Sequence, residues 1–370
     1  MAFLNFYRGK TALVTGHTGF KGSWTSIWLA ELGARVVGYS LEPPSRPSHF
    51  EATGLAERVE HIHGDVRDAE HLERVVRHYQ PDVVFHMAAQ AIVLTGFQEP
   101  RDTFSTNVMG TVNVCDVVQR HSSARALVVI TSDKCYQNQE WVWGYRETDR
   151  LGGHDPYGAS KACAELAIAV FQDPRFQHRA SRPEIPISSV RAGNVIGGGD
   201  WAADRLIPDI VRAIAAGEVV QLRSPNATRP WQHVLEAVSG YLWLAAKMAL
   251  EGARYQSAYN FGPALSARGV PVIEIAQSLL ANWGPTRASI FAGVDRSGAE
   301  SGLLRLDVSR AEAELDWRTT WTVEETLVKT AAWYRAYYSS PRPDLHAVSV
   351  QQIGEYLADA KERHLAWAAS

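Results

Sequence analysis

Three cysteines in 370 residues, Cys115, Cys135 and Cys163, cannot all pair with one another. None has a second cysteine or histidine at metal-ligand spacing, so reduced thiols are expected and no structural zinc. His17, His154 and His233 also form no metal-binding pattern, and no metal site is read. No apolar run is long enough to cross a bilayer, and MAFLNFYRGKTALVTG lacks the apolar stretch and small-residue cleavage site of a secretory signal. A cytoplasmic protein is therefore expected. An excess of positive charge is missing too: 37 Lys and Arg against 40 Asp and Glu give a net charge of -3, interspersed along the chain. That balance offers no basic face for nucleic acid and no polybasic tract for a membrane, which leaves small molecules and further copies of the chain as partners. Repeats and low-complexity tracts are absent.

What is present is an alternation of short apolar runs with helix-length segments. TALVTG (11–16), ARVVGYS (34–40), VEHIHGD (59–65), DVVFHMAA (82–89) and ALVVITS (126–132) read as strands, as do IPISSVRAGNV (185–195) and AYNFGP (258–263). Val/Ile/Leu runs of this length, separated by helices, suit a parallel sheet covered on both faces. The expected fold class is α/β, a Rossmann-type doubly wound parallel sheet with a smaller, mixed C-terminal substrate-binding part. Residues 1–190 are assigned to the nucleotide-binding domain with the catalytic residues. Residues 191–370 are assigned mainly to substrate, with some segments returning to the sheet. GGGDW (197–201) and RSPNATRPWQHV (223–234) are irregular, whereas TVEETLVKTAAWYRAYY (322–338) and VQQIGEYLADAKERHL (350–365) carry apolar residues at helical spacing.

TGHTGFKG places Gly16, Gly19 and Gly22, with Thr18 and Phe20 between them, after the first strand and at the opening of a helix. Glycines there allow a tight turn, close approach of backbone N–H groups to a pyrophosphate, and close packing of helix on strand. A dinucleotide cofactor follows. Ser40 ends the second strand where an acid that grips the adenosine ribose often sits, and the nearest acid is Glu42. NAD is expected, with NADP as the alternative that Arg46 would serve.

Two further stretches carry chemistry. HDPYGASKACAE puts Tyr157 and Lys161 four residues apart at the start of a helix, hence on one face, where a cation favours the phenolate. ALVVITSDKCYQNQEWVWGY brings Ser132, Asp133 and Lys134 to the end of a buried strand. A salt-linked pair holding the loop together is one reading of Asp133 and Lys134, and an acid–base couple is the other.

These stretches, with RAGNVIGGGDW, RPWQHV and LRLDVSRAEAELDW, resemble the extended short-chain dehydrogenases that modify nucleotide sugars. Within them, Asp133-Lys134 is similar to the 4,6-dehydratases acting on CDP-glucose. The resemblance implies that Tyr157 and Lys161 assist oxidation at C4, that Lys134 removes the C5 proton, that Asp133 protonates the departing C6 hydroxyl, and that Ser132 holds the C4 oxygen. Both groups of the couple then need shifted acidities, Lys134 towards neutral and Asp133 towards its protonated form, through desolvation and neighbouring charge. The resemblance further implies cofactor contacts at Asp65, Val66, Ala88, Ala89, Gln90 and Asn107, and substrate contacts at Asn194, Arg205 and Arg229. Trp141 and Trp143 either wall the sugar pocket or fill core. Near Glu300 the family leads one to expect a His-Glu pair, so recognition of the base differs there. A homodimer through helices around 100–120 and 156–171 is implied as well. The rival readings are a nucleotide-sugar 4-epimerase, which has no use for Lys134, a dehydratase acting on another nucleotide sugar, and a cofactor-sensing regulator without catalysis.

Overall fold

The apolar runs become the strands of one sheet. The computed structural model describes residues 3–179, 184–222, 224–264, 269–292 and 303–369. Its seven central strands are β1 (Thr11–Thr15), β2 (Arg35–Ser40), β3 (Glu60–His63), β4 (Val83–His86), β5 (Ala126–Ile130), β6 (Ile187–Ala192) and β7 (Ala258–Phe261). All pair in parallel, in the spatial order 3-2-1-4-5-6-7. The order reverses between β1 and β4, and in open sheets of this kind ligands bind beyond the carboxyl ends at that switch point.

Helices position the rest, among them α1 (Phe20–Glu31), α2 (Ala69–Tyr79), α3 (Gly110–His121), α4 (Pro156–Gln172), α5 (Val234–Glu251), α6 (Val323–Tyr338) and α7 (Leu345–Glu362). Because successive strand side chains point to opposite faces, each strand supplies two cores. Ala12, Val14, Val83, Phe85, Ala126 and Val128 meet Trp24, Ile27 and Trp28 of α1 and Val238, Leu242 and Ala245 of α5. Leu13, Val37, Val84, Leu127 and Val129 face the other way, onto Val75 and Val76 of α2, Val114 and Val118 of α3 and Ile168 and Phe171 of α4. Each fully buried aliphatic side chain contributes about 1.5–3 kcal/mol, so neither face can be left open to water.

The strands end earlier than the apolar runs do, for a reason that matters to the site. Beyond His86, Met87 N still reaches Thr15 O at 3.1 Å, and the N–H groups of Met87 and Ala88 also turn to the Thr15 hydroxyl at 3.2 and 3.3 Å. Beyond Ile130, residues 133–135 coil into one 3-10 turn whose cap is the Ser132 hydroxyl. The turn after β5 leaves Ser132, Asp133 and Lys134 at the carboxyl edge of the sheet.

The glycines of GGGDW answer to packing. A Cβ on Gly198 would overlap the Trp333 ring, and Gly199 has φ +89, against His49. Trp24 donates to Gly198 O at 2.9 Å, and Trp201 lies on Tyr337 with ring centroids 4.5 Å apart. This loop therefore joins α1 to α6. The last helix begins at Leu345, five residues before the segment read from sequence, because Asp344 caps it through the His346 N–H at 2.9 Å. In the C-terminal part short strands pair in twos: Val195–Ile196 with Gln232–His233, Thr228–Arg229 with Val270–Pro271, and Val219–Leu222 with Ser289–Ala292. Among the described residues no helix is long and apolar enough to cross a membrane.

Candidate active site

The glycine turn closes on itself. Gly16 has φ +75 and donates to Tyr39 O at 2.9 Å, and a Cβ there would lie 2.6 Å from Ala88 N. A Cβ on Gly22 would overlap Gly16 O. Gly19 is the N-cap of α1 and supplies no side-chain cap, so the first N–H groups of that helix keep no side-chain acceptor. A cradle of bare backbone at a helix N-terminus fits a pyrophosphate. Phe20, half-buried, opens α1, and Thr18 lies buried with its hydroxyl 2.8 Å from Ser40 Oγ and 3.0 Å from Leu41 O. Arg46, exposed, pairs with Glu42 at 3.9 Å and Glu51 at 3.4 Å, so its charge is already answered and is not set aside for a 2'-phosphate.

Asp65 and Val66 follow β3. The Asp65 carboxylate takes three bonds from Arg67, and its carbonyl accepts the Tyr39 hydroxyl at 2.8 Å. Val66 is buried where Gly110 leaves room: a Cβ on that glycine would sit 2.7 Å from Val66 Cγ2. After β4, Ala88, Ala89 and Gln90 are half-buried along the crevice. Asn107 clasps this segment: its side chain accepts from Gln90 N and donates to Gln90 O, both at 2.9 Å, and also donates to Ser160 Oγ at 2.8 Å. It is 1 % exposed and sits in a π-helical turn, Ser105–Met109, so it is a buried cross-link and not a helix-surface asparagine.

Ser132, Asp133, Tyr157 and Lys161 come together at the edge of β5. Ser132 donates to Asp133 Oδ1 at 3.0 Å and accepts from Lys134 N at 3.2 Å. Asp133 is 4 % exposed, and its Oδ2 has no hydrogen-bond partner. Burial raises its pKa above the ordinary carboxyl value, against the attraction of Lys134 and Lys21 and the Ser132 bond. Lys134, in contrast, lies exposed. The free chain thus desolvates the acid of the couple and leaves the amine in water. Asp155 caps α4 through Gly158 N at 3.0 Å and so fixes where the helix presents Tyr157. Burial pushes Tyr157 up to about 12, opposed by a bond to Ser132 and the charge of Arg205. Lys161 donates to Ile130 O at 3.2 Å and is pushed down to about 7, by burial first and then by Lys21.

Beneath this cluster lies a buried ion pair that no spacing in the sequence announces. Glu165, one turn beyond Lys161, accepts from Arg191 Nε at 2.9 Å and Nη2 at 2.7 Å, from Ser189 Oγ at 2.7 Å, and from the hydroxyl of Thr131, the residue before Ser132. Arg191 also donates to Tyr136 OH at 2.8 Å and Glu147 O at 3.0 Å.

The expected substrate residues are spread more widely. Arg205 pairs with Asp200 at 3.1 Å and acts electrostatically on Tyr157. Asn194 is half-buried at φ +42 in the turn after β6, its carbonyl accepting Gln232 N. Arg229 sits on its short strand, with a guanidinium N–H on Thr228 O at 2.9 Å. Trp141 and Trp143 are 38 % and 58 % exposed, so they do not fill core, and Trp141 stacks on Tyr145 at 5.5 Å. Glu300 lies outside the described residues. Two members of the cluster escaped the sequence reading: Lys21, seen only as part of a glycine turn, and Tyr241 of α5.

A glycine cradle at the switch point beside a Ser-Asp-Lys turn and a Tyr-Lys helix defines a nucleotide-dependent acid–base enzyme of the extended short-chain dehydrogenase type. The family model for GDP-mannose 4,6 dehydratase matches residues 13–330, and the chain belongs to this family of NAD-dependent nucleotide-sugar 4,6-dehydratases. A CDP-glucose 4,6-dehydratase of Salmonella typhimurium is 44% identical over 356 residues, which covers 96% of this chain and 98% of the relative. Among solved structures, MoeE5 in complex with UDP-glucuronic acid and NAD is 25% identical with a TM-score of 0.72, covering 88% of this chain and 99% of that one. The epimerase Mth375 of Methanothermobacter thermautotrophicus superposes with a TM-score of 0.74 at 23% identity, over 90% of this chain and 94% of that one, which shows the shared fold.

Removing one partner of a buried ion pair strands the other, at a cost of about 3–5 kcal/mol. Glu165→Gln is therefore expected to lower the thermal unfolding midpoint, read by calorimetry, and to reduce turnover by misplacing Ser132 against Tyr157. An unchanged midpoint contradicts this role for the pair.

Proposed function

We propose that the chain converts CDP-D-glucose to CDP-4-keto-6-deoxy-D-glucose. The observation that carries this reading is the Ser132-Asp133-Lys134 turn beside Tyr157, in a chain 44% identical along nearly its whole length to a CDP-glucose 4,6-dehydratase. NAD is the cofactor. Gly16, Thr18, Gly19, Phe20 and Gly22 would hold its pyrophosphate side, Asp65 and Val66 its adenine, and Ala88, Ala89, Gln90 and Asn107 the wall of its cleft, with Tyr157 and Lys161 at the reacting end. When bound, NAD supplies a reversible acceptor that takes hydrogen from C4 and returns it to C6, so none is consumed.

The chain's own residues then divide the proton work. Tyr157, with Lys161 one turn along, serves the C4 hydroxyl proton, and the Ser132 hydroxyl orients the C4 oxygen. A ketone at C4 acidifies C5–H, and Lys134 takes that proton. Asp133 gives its proton to the departing C6 hydroxyl, a role supported by the burial that keeps this carboxyl protonated above the ordinary range. Lys134 is exposed in the free chain, so a sugar seated over it supplies the loss of water that a neutral amine requires. Asn194 and Arg205 would bind the sugar end and Arg229 the diphosphate, for which its planar fork is suited. In this division residues 1–190 carry cofactor and catalysis, and residues 191–370 mainly substrate, although β7 joins the sheet.

A homodimer through the helices near residues 100–120 and α4 is part of the proposal. Phe104, Met109, Leu166 and Val170 leave large apolar side chains exposed there, which a second copy would cover. A cytoplasmic setting fits three unpaired cysteines, two of them buried.

Mass spectrometry of the purified protein with CDP-glucose is expected to show loss of one water without net consumption of NAD, and no such loss with the GDP, UDP or dTDP sugars. Lys134→Ala is expected to lower that rate by about 10²-fold or more. A sugar changed in configuration at unchanged mass, with Lys134→Ala as active as the parent, makes the chain an epimerase instead. For the dimer, light scattering is expected to give twice the chain mass, falling to one chain in Leu166→Glu, and a monomeric parent overturns that part.

A further inference from the structure

The turn that cradles the cofactor also sends a side chain into the acid–base cluster. Lys21, between Gly19 and Gly22, is half-buried, with its ammonium 6.0 Å from the centroid of the Tyr241 ring. Tyr241 is fully buried on α5, and its hydroxyl has no hydrogen-bond partner. Asp133 Oδ2 is likewise buried and without a partner, and it is closed from behind by Gly193, where any Cβ would overlap that oxygen. Lys21 acts electrostatically on Asp133 and Lys161 and is itself opposed by Arg205. The groups facing Asp133 are Lys134 and Cys135 of its own turn, Lys21 of the glycine turn, Tyr157 of α4 and Tyr241 of α5. Of these, only Lys21 is a cation with no part in the proposed proton transfers.

We propose that Lys21 is a positioning residue of the elimination: its ammonium, seated over the Tyr241 ring, supports the carboxylate that Asp133 becomes on giving up its proton. This rests on the dehydratase reading and deepens it. In the elimination the Asp133 O–H bond breaks as an O–H bond forms on the C6 oxygen. The C6–O bond breaks with its electron pair, and the oxygen leaves as water. The C5 proton passes to Lys134. What remains at Asp133 is a buried carboxylate with a single side-chain hydrogen bond, from Ser132. A buried charge so thinly partnered needs a counter-charge, and Lys21, whose ammonium already acts on Asp133 from the glycine turn, supplies one. The same charge presses on Lys161 and favours its neutral form.

The sign of the effect is the same at both groups. Without the Lys21 charge Asp133 holds its proton to higher pH, and so does Lys161. A carboxyl acid must be protonated to act, so the limb of kcat that falls with rising pH moves upward when Lys21 is replaced by an uncharged residue. At neutral pH the acid is weaker and the rate falls.

The test measures kcat and KM for CDP-glucose across pH in the parent, Lys21→Met and Lys21→Arg, together with the NAD content of each purified protein. Lys21→Met is expected to lose about 10- to 100-fold in kcat at neutral pH, with KM within about twofold, NAD retained and the alkaline limb moved up. Lys21→Arg, which keeps the charge, restores most of the rate and the parent's limb. An alkaline limb unmoved in Lys21→Met, an arginine variant as impaired as the methionine one, or a loss of rate explained by lost NAD each overturns the role of Lys21 while leaving the dehydratase intact. A parent that removes water from no nucleotide sugar overturns the functional reading and this role with it.

Discussion

The carboxylate of Glu165 is where the site's geometry is held. It is buried on α4, the helix that presents Tyr157 and Lys161, and it draws in Arg191 and Ser189 from β6 and Thr131 from the end of β5. Thr131 is the residue before Ser132, so one carboxylate ties the Tyr-Lys face to the Ser-Asp-Lys turn. Arg191 extends the tie to Tyr136 and to the Glu147 carbonyl beyond the turn. Proton transfer falls off steeply with misplacement, and a buried pair with every oxygen engaged is a stiffer spacer than a surface contact. Asn107 does the same on the cofactor side, joining Gln90 after β4 to Ser160 of α4.

On this frame the environment sorts the ionisable groups by role. Asp133, Tyr157 and Lys161 are buried together, and burial pushes the acids up and the amine down, each towards its neutral form. Lys134 stands apart in water at the mouth of the cluster, where bound substrate would cover it. On the proposed roles, the fold sets the acid and a bound sugar would complete the base. That asymmetry fits an enzyme in which elimination must wait until the sugar is seated and oxidised.

Much of this was legible in the residues. The central strands β1, β2, β4 and β5 announce themselves as Val/Ile/Leu runs because they are buried on both faces, whereas the edge strands Glu60–His63, largely exposed, and Ala258–Phe261 carry few such residues. TGHTGFKG and YGASK mark a cofactor turn and a Tyr-Lys face through local backbone requirements, which a linear reading can follow. Other features depend on partners far along the chain. Gly198 is a glycine because of Trp333, and Asn107 is buried because a π-helical turn rotates it inward. Lys21 read as one more residue between glycines, and only the fold brings Asp133 and Tyr241 to it. The exposure of Lys134 also differs from the desolvated amine expected from its chemistry, and on the proposed mechanism the groups that would dry it belong to the substrate.

The account's central claim is that one site oxidises C4, eliminates water across C5 and C6, and returns the same hydrogen to C6. The most direct measurement is the fate of the label when the protein is given CDP-glucose carrying deuterium at C4. A product one water lighter that keeps the deuterium on its C6 methyl group is the result predicted. A product that has lost the label to solvent, or one of unchanged mass with deuterium still at C4, would contradict it.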